Sequence, residues 1–217
     1  MVDIRIIIFE NSLKPAEIPY FRGAISKHLG ASLLLHNHTQ TGMRNALPLV
    51  QYKIINNRPA IVAINEGIAE VEPLFTIPEI KTYIGKRPIK LRVDSIWQNQ
   101  FDLDLTDQTF KYKLINWLPL NEENYITYKE TPSLVKRMEM LEQILTANIL
   151  SFAKGVGVFY EAPVEVCLLD ISEPKTAHYK NVKLLSFDVE FSCNVMLPEF
   201  VGLGKGVSKG YGVVNLP

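Results

Sequence analysis

Leu134, Met138, Leu141, Leu145, Ile149 and Phe152 recur at steps of three and four residues, and this stripe constrains the fold more than any other pattern in the chain. Residues so spaced share one face of a helix, and an apolar face of that length has to be covered by other elements. Thr131 is placed to cap this helix, Pro132 to occupy its first position, and Gly155 and Gly157 to end it. The stripe is a core feature and carries no cofactor. Its cover is supplied by neighbouring strands. Residues 110–118 alternate before it, residues 164–171 and 182–195 follow it, and Val213-Val214 forms a last edge. The stretch 182–195 can be a hairpin or one long bent strand. The result is a strand–helix–strand–strand half.

The N-terminal half has its own order. Residues 2–9 read as a buried strand, with Ile4, Ile6 and Ile8 alternating with Arg5 and further isoleucine. Residues 19–29 have helical spacing, with Phe21, Ile25 and Leu29 on one face and Gly30 as the stop. Residues 33–38 form a short strand. Residues 47–55 and 60–64 pair around Asn56-Asn57, a hairpin signal. A short helix over 67–75 ends before Pro78, and 89–93 is the next alternating segment. Strand, helix, strands, helix, strand is the signature of a ferredoxin-like βαββαβ sheet. The expectation is therefore an α+β protein of two tandem ferredoxin-like domains, RRM-like in form. They span residues 1–100 and 101–217, joined between 94 and 110. The polar, acidic stretch 121–130 reads as a linker or crossover. The duplication rests on element order, since no residue-level repeat is visible.

The chain has 217 residues and is 47% hydrophobic, enough for one large domain or two small ones. Its 23 basic and 23 acidic residues give zero net charge, so local distribution matters more than the sum. Residues 81–93 hold Lys81, Lys86, Arg87, Lys90 and Arg92 with no acid, while Glu66, Glu70 and Glu72 cluster elsewhere. The N-terminus lacks the pattern of a secretory leader, and no apolar run approaches the ~20 residues of a membrane span. Cys167 and Cys193 read as buried thiols without a Cys-x-x-Cys spacing, which suggests a reducing cytoplasm and no zinc site.

Near the C-terminus stands Gly202-Leu203-Gly204-Lys205-Gly206-Val207-Ser208-Lys209-Gly210-Tyr211-Gly212. Glycine lets backbone approach a ligand closely, and N–H groups among lysines suit a phosphate backbone. The run fits neither the dinucleotide fingerprint nor a phosphate-binding P-loop. A plain hairpin loop is the alternative.

His36 and His38 are one residue apart, so on a strand they point to the same face, with Cβ atoms ~7 Å apart. Such a pair can flank one phosphate. One ring can take the proton of a ribose 2′-hydroxyl and the other can protonate the leaving 5′-oxygen. Both tasks suit a side chain whose pKa is about 6.5. No metal is needed, and the chemistry is confined to RNA. The same pair could instead supply two ligands of a zinc site, with His178, Asp170 or Glu66, or be inert surface.

These residues carry a resemblance. With Ile18-Pro19-Tyr20-Phe21-Arg22-Gly23-Ala24, Leu47-Pro48-Leu49-Val50-Gln51-Tyr52-Lys53, the stretch 148–157 and the Gly210-Tyr211-Gly212 ending, the chain resembles the CRISPR repeat-RNA processing endoribonucleases of the RAMP superfamily. The likeness is to the branch with a His-Asn-His tripeptide, and it runs from residue 18 to residue 212. It implies His36 and His38 as the catalytic pair. It also implies metal-independent cleavage within CRISPR repeats to 2′,3′-cyclic phosphate and 5′-hydroxyl ends, no cofactor, and a glycine loop lying on the RNA backbone. The zero net charge departs from the basic balance expected of such a protein. The RNA-binding set is then Arg22, Arg44, Lys53, Gly202, Gly204, Lys205, Gly206, Lys209, Gly210 and Gly212, with Tyr211 able to stack on a base or pack under the loop. A cation at the scissile phosphate would stabilise its developing charge. Partners under this reading are CRISPR repeat RNA, a second copy of the chain in a homodimer, and a CRISPR effector complex. A membrane is excluded, and the location is cytoplasmic. The competing readings are a non-catalytic RNA-binding subunit of the same fold and a metal-dependent hydrolase using the histidine pair.

Overall fold

The computed structural model describes residues 1–30, 38–39, 42–43, 47–180 and 182–217. The chain divides into two compact units. The first comprises residues 1–102 together with 208–210, and the second residues 103–207 together with 211–217.

In the first unit the strands are β1 (Val2–Phe9), β2 (His38–Thr39), β3 (Gly42–Met43), β4 (Val50–Ile55), β5 (Arg58–Ile64), β6 (Ile80–Ile84), β7 (Arg87–Leu91) and β8 (Val93–Phe101). The helices are α1 (Ile18–Leu29) and α2 (Gly67–Val71), the latter running on as a 3-10 turn over Glu72–Thr76. The main sheet has the order β4-β5-β1-β8 and is antiparallel throughout. Set against the βαββαβ frame, this is second, third, first, fourth, the ferredoxin-like order. Asn56 and Asn57 both have positive φ, 50° and 62°, as a two-residue hairpin turn of matching twist requires. The helices cover one face through Phe21, Ile25, Val71 and Leu74, packed on Ile7, Phe9, Val50, Tyr52 and Ile61. Phe21 meets Phe9 and Tyr52 edge-on, with centroids 5.3 and 5.7 Å apart. The β6–β7 hairpin is an addition to the frame. Its Ile80, Ile84 and Leu91 are buried, while Lys81, Tyr83 and Lys90 face outward. Two-sided character of this kind gives only weak apolar runs, which is why residues 81–93 read chiefly as a basic cluster.

The second unit holds β9 (Leu105–Trp117), α3 (Glu122–Glu130), α4 (Leu134–Gly155), β10 (Val166–Ile171), β11 (Lys175–Tyr179), β12 (Val182–Val195) and β13 (Val213–Asn215). The sheet order is β10-β12-β9-β13, with β11 pairing the other half of β12. The β10 and β11 segments together take the second-strand place, so the frame order repeats. No helix lies between β12 and β13 among the described residues, and the glycine run occupies that position. The face of α4 buries Leu141, Leu145, Ile149 and Phe152, and Trp117 Nε1 donates to Asn148 Oδ1 at 2.9 Å.

Three readings of the sequence need correction here. Residues 122–130 are a helix in the crossover from β9 to β10, and not a linker. The Asn121 side chain accepts from the Asn124 N–H at 2.7 Å, Glu122 and Glu123 sit at the positive end of the helix dipole, and Tyr128 alone is buried. Next, α4 begins two residues later than its sequence suggests, because Ser133 accepts from the Lys136 N–H and Thr131 closes α3 by donating to the Thr127 carbonyl. Finally, Cys167 is exposed on β10, whereas Cys193 on β12 is buried as expected.

Candidate functional site

The strand β4 is buried on both faces. Val50 and Tyr52 point into the helix-covered core, while Gln51 and Lys53 occupy the opposite face with no exposed surface. Along β4 lies a piece of the glycine run, because Lys209 bridges Tyr52 in parallel fashion. Gly210 follows in contact with α1 and β4, where an added Cβ would strike the Ile18 side chain and meet the Tyr52 carbonyl oxygen at 3.5 Å. Burial pushes the Tyr52 hydroxyl above its usual pKa, opposed by the Ser26 hydroxyl and by the Arg22 charge. The first unit therefore brings Arg22, Tyr52, Lys53, Lys209 and Gly210 into one region.

Burial lowers the Lys53 ammonium to a pKa of about 7, so amine and ammonium coexist near neutrality. An unfolded chain keeps the ordinary lysine value of about 10.4 and so binds more protons between these two pKa values. Stability then rises with pH through that window. A Lys53→Met chain is expected to be more stable than the parent near neutrality. The advantage should shrink by ~1.4 kcal/mol per pH unit as pH rises toward 10, measured by urea unfolding. An advantage independent of pH would refute a proton-linked penalty.

The rest of the glycine run lies in the second unit. Gly202 is buried and bridges Val213. At Gly204 an added Cβ would come 2.5 Å from Asn148 Oδ1, the acceptor of Trp117. At Gly206 it would come 2.9 Å from the Tyr211 ring and 3.0 Å from the Tyr179 ring. Gly212 has φ +60°, donates to the Asn116 carbonyl and accepts from Leu203, and its Cβ would collide with the Leu203 carbonyl oxygen. These glycines thus answer to internal packing. Lys205 is exposed and Lys209 half-buried. Tyr211 packs edge-on against Tyr179, centroids 5.9 Å apart, and donates to the His178 carbonyl at 3.2 Å.

His38 is seen by its backbone, which pairs with Met43 in the short β2–β3 hairpin between α1 and β4. His36 and Arg44 lie outside the described residues. Among the described residues no group of three or more His, Cys, Asp or Glu side chains is placed to hold a metal ion. The basic cluster on β6–β7 is partly engaged, with Arg87 on Glu17 at 2.8 Å and Arg92 and Lys90 on Glu79 at 2.6 and 3.4 Å. No helix among the described residues is long and apolar enough to cross a membrane.

Reading the sequence missed a cleft of about 650 Å³ in the second unit, lined in part by Tyr125, Tyr179, Lys180, Lys183 and Lys205. Its helical wall lies in the polar stretch that reads as linker or crossover, and β11 has no strand signal, so only Lys205 is legible in the sequence.

Residues 1–102 match the family model of the Cas6b N-terminal domain, and residues 104–216 that of the Cas6b C-terminal domain. An uncharacterised protein of Methanocaldococcus jannaschii is 39% identical over 114 residues, 52% of this chain and 76% of that protein. The chain is similar to a crystal structure of Cas6b, with TM-score 0.88 and 26% identity over 99% of each chain. It is also similar to a crystal structure of a Cas6b CRISPR RNA processing endoribonuclease, with TM-score 0.74 and 25% identity over 99% of this chain and 98% of that one. A type IV CRISPR-Cas crRNA endonuclease shares the fold, at TM-score 0.65 and 15% identity over the whole of both chains.

Proposed function

Since this chain belongs to the Cas6b family of CRISPR RNA processing endoribonucleases, we propose that it cuts precursor CRISPR RNA within each repeat by metal-independent attack of a ribose 2′-hydroxyl. His36 and His38 serve as paired acid and base. One accepts the 2′-hydroxyl proton as that oxygen bonds to phosphorus. The other protonates the 5′-oxygen as its bond to phosphorus breaks. The ends are a 2′,3′-cyclic phosphate and a 5′-hydroxyl. Arg22, Arg44 and Lys209 are the candidates for neutralising the charge that builds on the phosphoryl oxygens, whereas Lys53 has no exposed surface to offer a phosphate. The observation that carries this reading is the His-Asn-His tripeptide within a chain matched to Cas6b in both halves. The domains of this reading are residues 1–100, bearing the histidines, and residues 101–217, bearing the RNA-binding loop. It places the enzyme in the cytoplasm.

Incubation of the chain with repeat RNA in EDTA tests the reading. Undiminished cutting with cyclic phosphate ends is the expected result. Loss of cutting that returns with a divalent metal would overturn it in favour of a metal hydrolase. Binding without cutting, metal or no metal, would favour a non-catalytic subunit.

Lys205 and Lys209 are proposed to meet RNA phosphates. Replacing both with alanine is expected to weaken binding and to reduce the slope of log affinity against log salt by about 0.7 per lost contact. A filter-binding titration across salt concentrations reads both. Unchanged affinity and slope would remove these lysines from the interface.

A further inference from the structure

The cleft of about 650 Å³ in the second unit lies between the start of α3 and the β11–β12 hairpin. Its lining includes the apolar residues Leu120, Val182, Leu184 and Leu185. Tyr125 and Tyr179 form aromatic walls, and Lys180, Lys183 and Lys205 stand at the rim against a single acid, Glu122. This combination suits one class of ligand. An unstacked base needs a π-face and an apolar bed, and its phosphates need cations that remain hydrated until contact. The size falls within the ~300–1,000 Å³ typical of small-ligand sites.

The glycine run contributes Lys205 to the lining of this cleft and packs against its Tyr179. Gly206 stands where any side chain would meet the Tyr179 and Tyr211 rings, at 3.0 and 2.9 Å from its Cβ. Tyr211 abuts Tyr179 edge-on and is tied by its hydroxyl to the His178 carbonyl, so Tyr179 is fixed from two sides. One residue before Gly206, the run delivers Lys205 to the rim. On the opposite wall Tyr125 is 40% exposed and lies under Lys129, whose Nζ is 5.8 Å from its ring centroid. A similar pair is Lys180 over Tyr179, also at 5.8 Å. In each pair the chain's own ammonium lies over one face of the ring, so a base would stack on the opposite face.

We propose that this cleft binds an unpaired nucleotide of the RNA substrate, with its base against Tyr125 and Tyr179 and its phosphates on Lys180, Lys183 and Lys205. The proposal rests on the nuclease reading above, and it assigns the glycine run a role through side chains, by wedging Tyr179 and carrying Lys205. The nucleotide could arrive in RNA or as a free molecule, and RNA is the source proposed.

The test uses the full chain and a Tyr125→Ala, Lys183→Ala double variant, both positions being at the surface. Repeat RNA carrying 4-thiouridine is titrated, photocrosslinked and assayed for single-turnover cleavage at saturating enzyme. AMP is titrated in parallel by NMR. The double variant should lose about ten- to hundredfold in RNA affinity and ~0.7 in salt slope. Crosslinks of the parent chain should fall on α3 or on β11–β12. Wild-type affinity and slope in the double variant, with cleavage intact and crosslinks elsewhere, would overturn the cleft assignment and leave the nuclease reading standing. A parent chain that neither binds nor cuts repeat RNA would sink the nuclease reading, and the RNA source with it. Saturation of the cleft by AMP in that case would reassign it to free nucleotides.

Discussion

His38→Ala and His36→Ala are each expected to slow single-turnover cleavage of repeat RNA by about two to four orders of magnitude while leaving RNA affinity nearly unchanged. The separation arises because a general base or acid acts on a proton in the transition state and contributes little to holding the ground state. A base must be neutral and an acid protonated at once. The rate of the parent enzyme should therefore peak or plateau between roughly pH 5 and 8, with limbs belonging to the coupled pair. Each single variant should lose the limb of its missing partner. Wild-type rates in both variants would place the chemistry elsewhere, and a log-linear climb to high pH would point to a metal-bound hydroxide.

Gly212→Ala is expected to destabilise the second unit by about 3 kcal/mol or more, the range of severe backbone strain and steric conflict. Its φ of +60° disfavours a side chain, and the new methyl would run into the Leu203 carbonyl oxygen. The clash is with backbone, so no rotamer relieves it. Relief would require parting of the hydrogen bonds that join Gly212 to Asn116 and Leu203. Chemical denaturation gives the magnitude. A loss below about 1 kcal/mol would mean that the loop relaxes freely and that the glycine answers to RNA rather than to packing.

The sequence showed the frame where local rules and tertiary burial agree. The strand β1, the Asn56-Asn57 turn, the stop at Gly30 and the α4 stripe from Leu141 onward appear where they were read, while Leu134, at the start of that stripe, is exposed. It failed where burial is slight. The helix α3 buries Tyr128 and little else, so it has no apolar period to detect, and β6–β7 hides a one-sided apolar face behind lysines. Lys53 shows the opposite failure. A lysine after Gln51 and Tyr52 reads as surface, yet β4 is covered on both sides. Of the candidate site, the glycine run and the histidine tripeptide were legible as motifs. The pairing of Lys209 with Tyr52 was not, because a contact spanning most of the chain leaves no local trace.

That pairing has a consequence for biosynthesis. Ser208–Gly210 are grouped with the first unit although more than a hundred residues intervene, so the strip that bridges Tyr52 on β4 is added only after β9–β12 of the second unit have been synthesised. Until Ser208–Gly210 are made, the emerging first unit lacks the strip beside Tyr52, and a strand not yet fully covered is a template for mispairing that chaperones would have to shield. Fragments from premature termination would keep the histidines and lack the strip laid beside Tyr52. Maturation of the first unit is thereby coupled to synthesis of the second, which precedes Ser208–Gly210 in the chain.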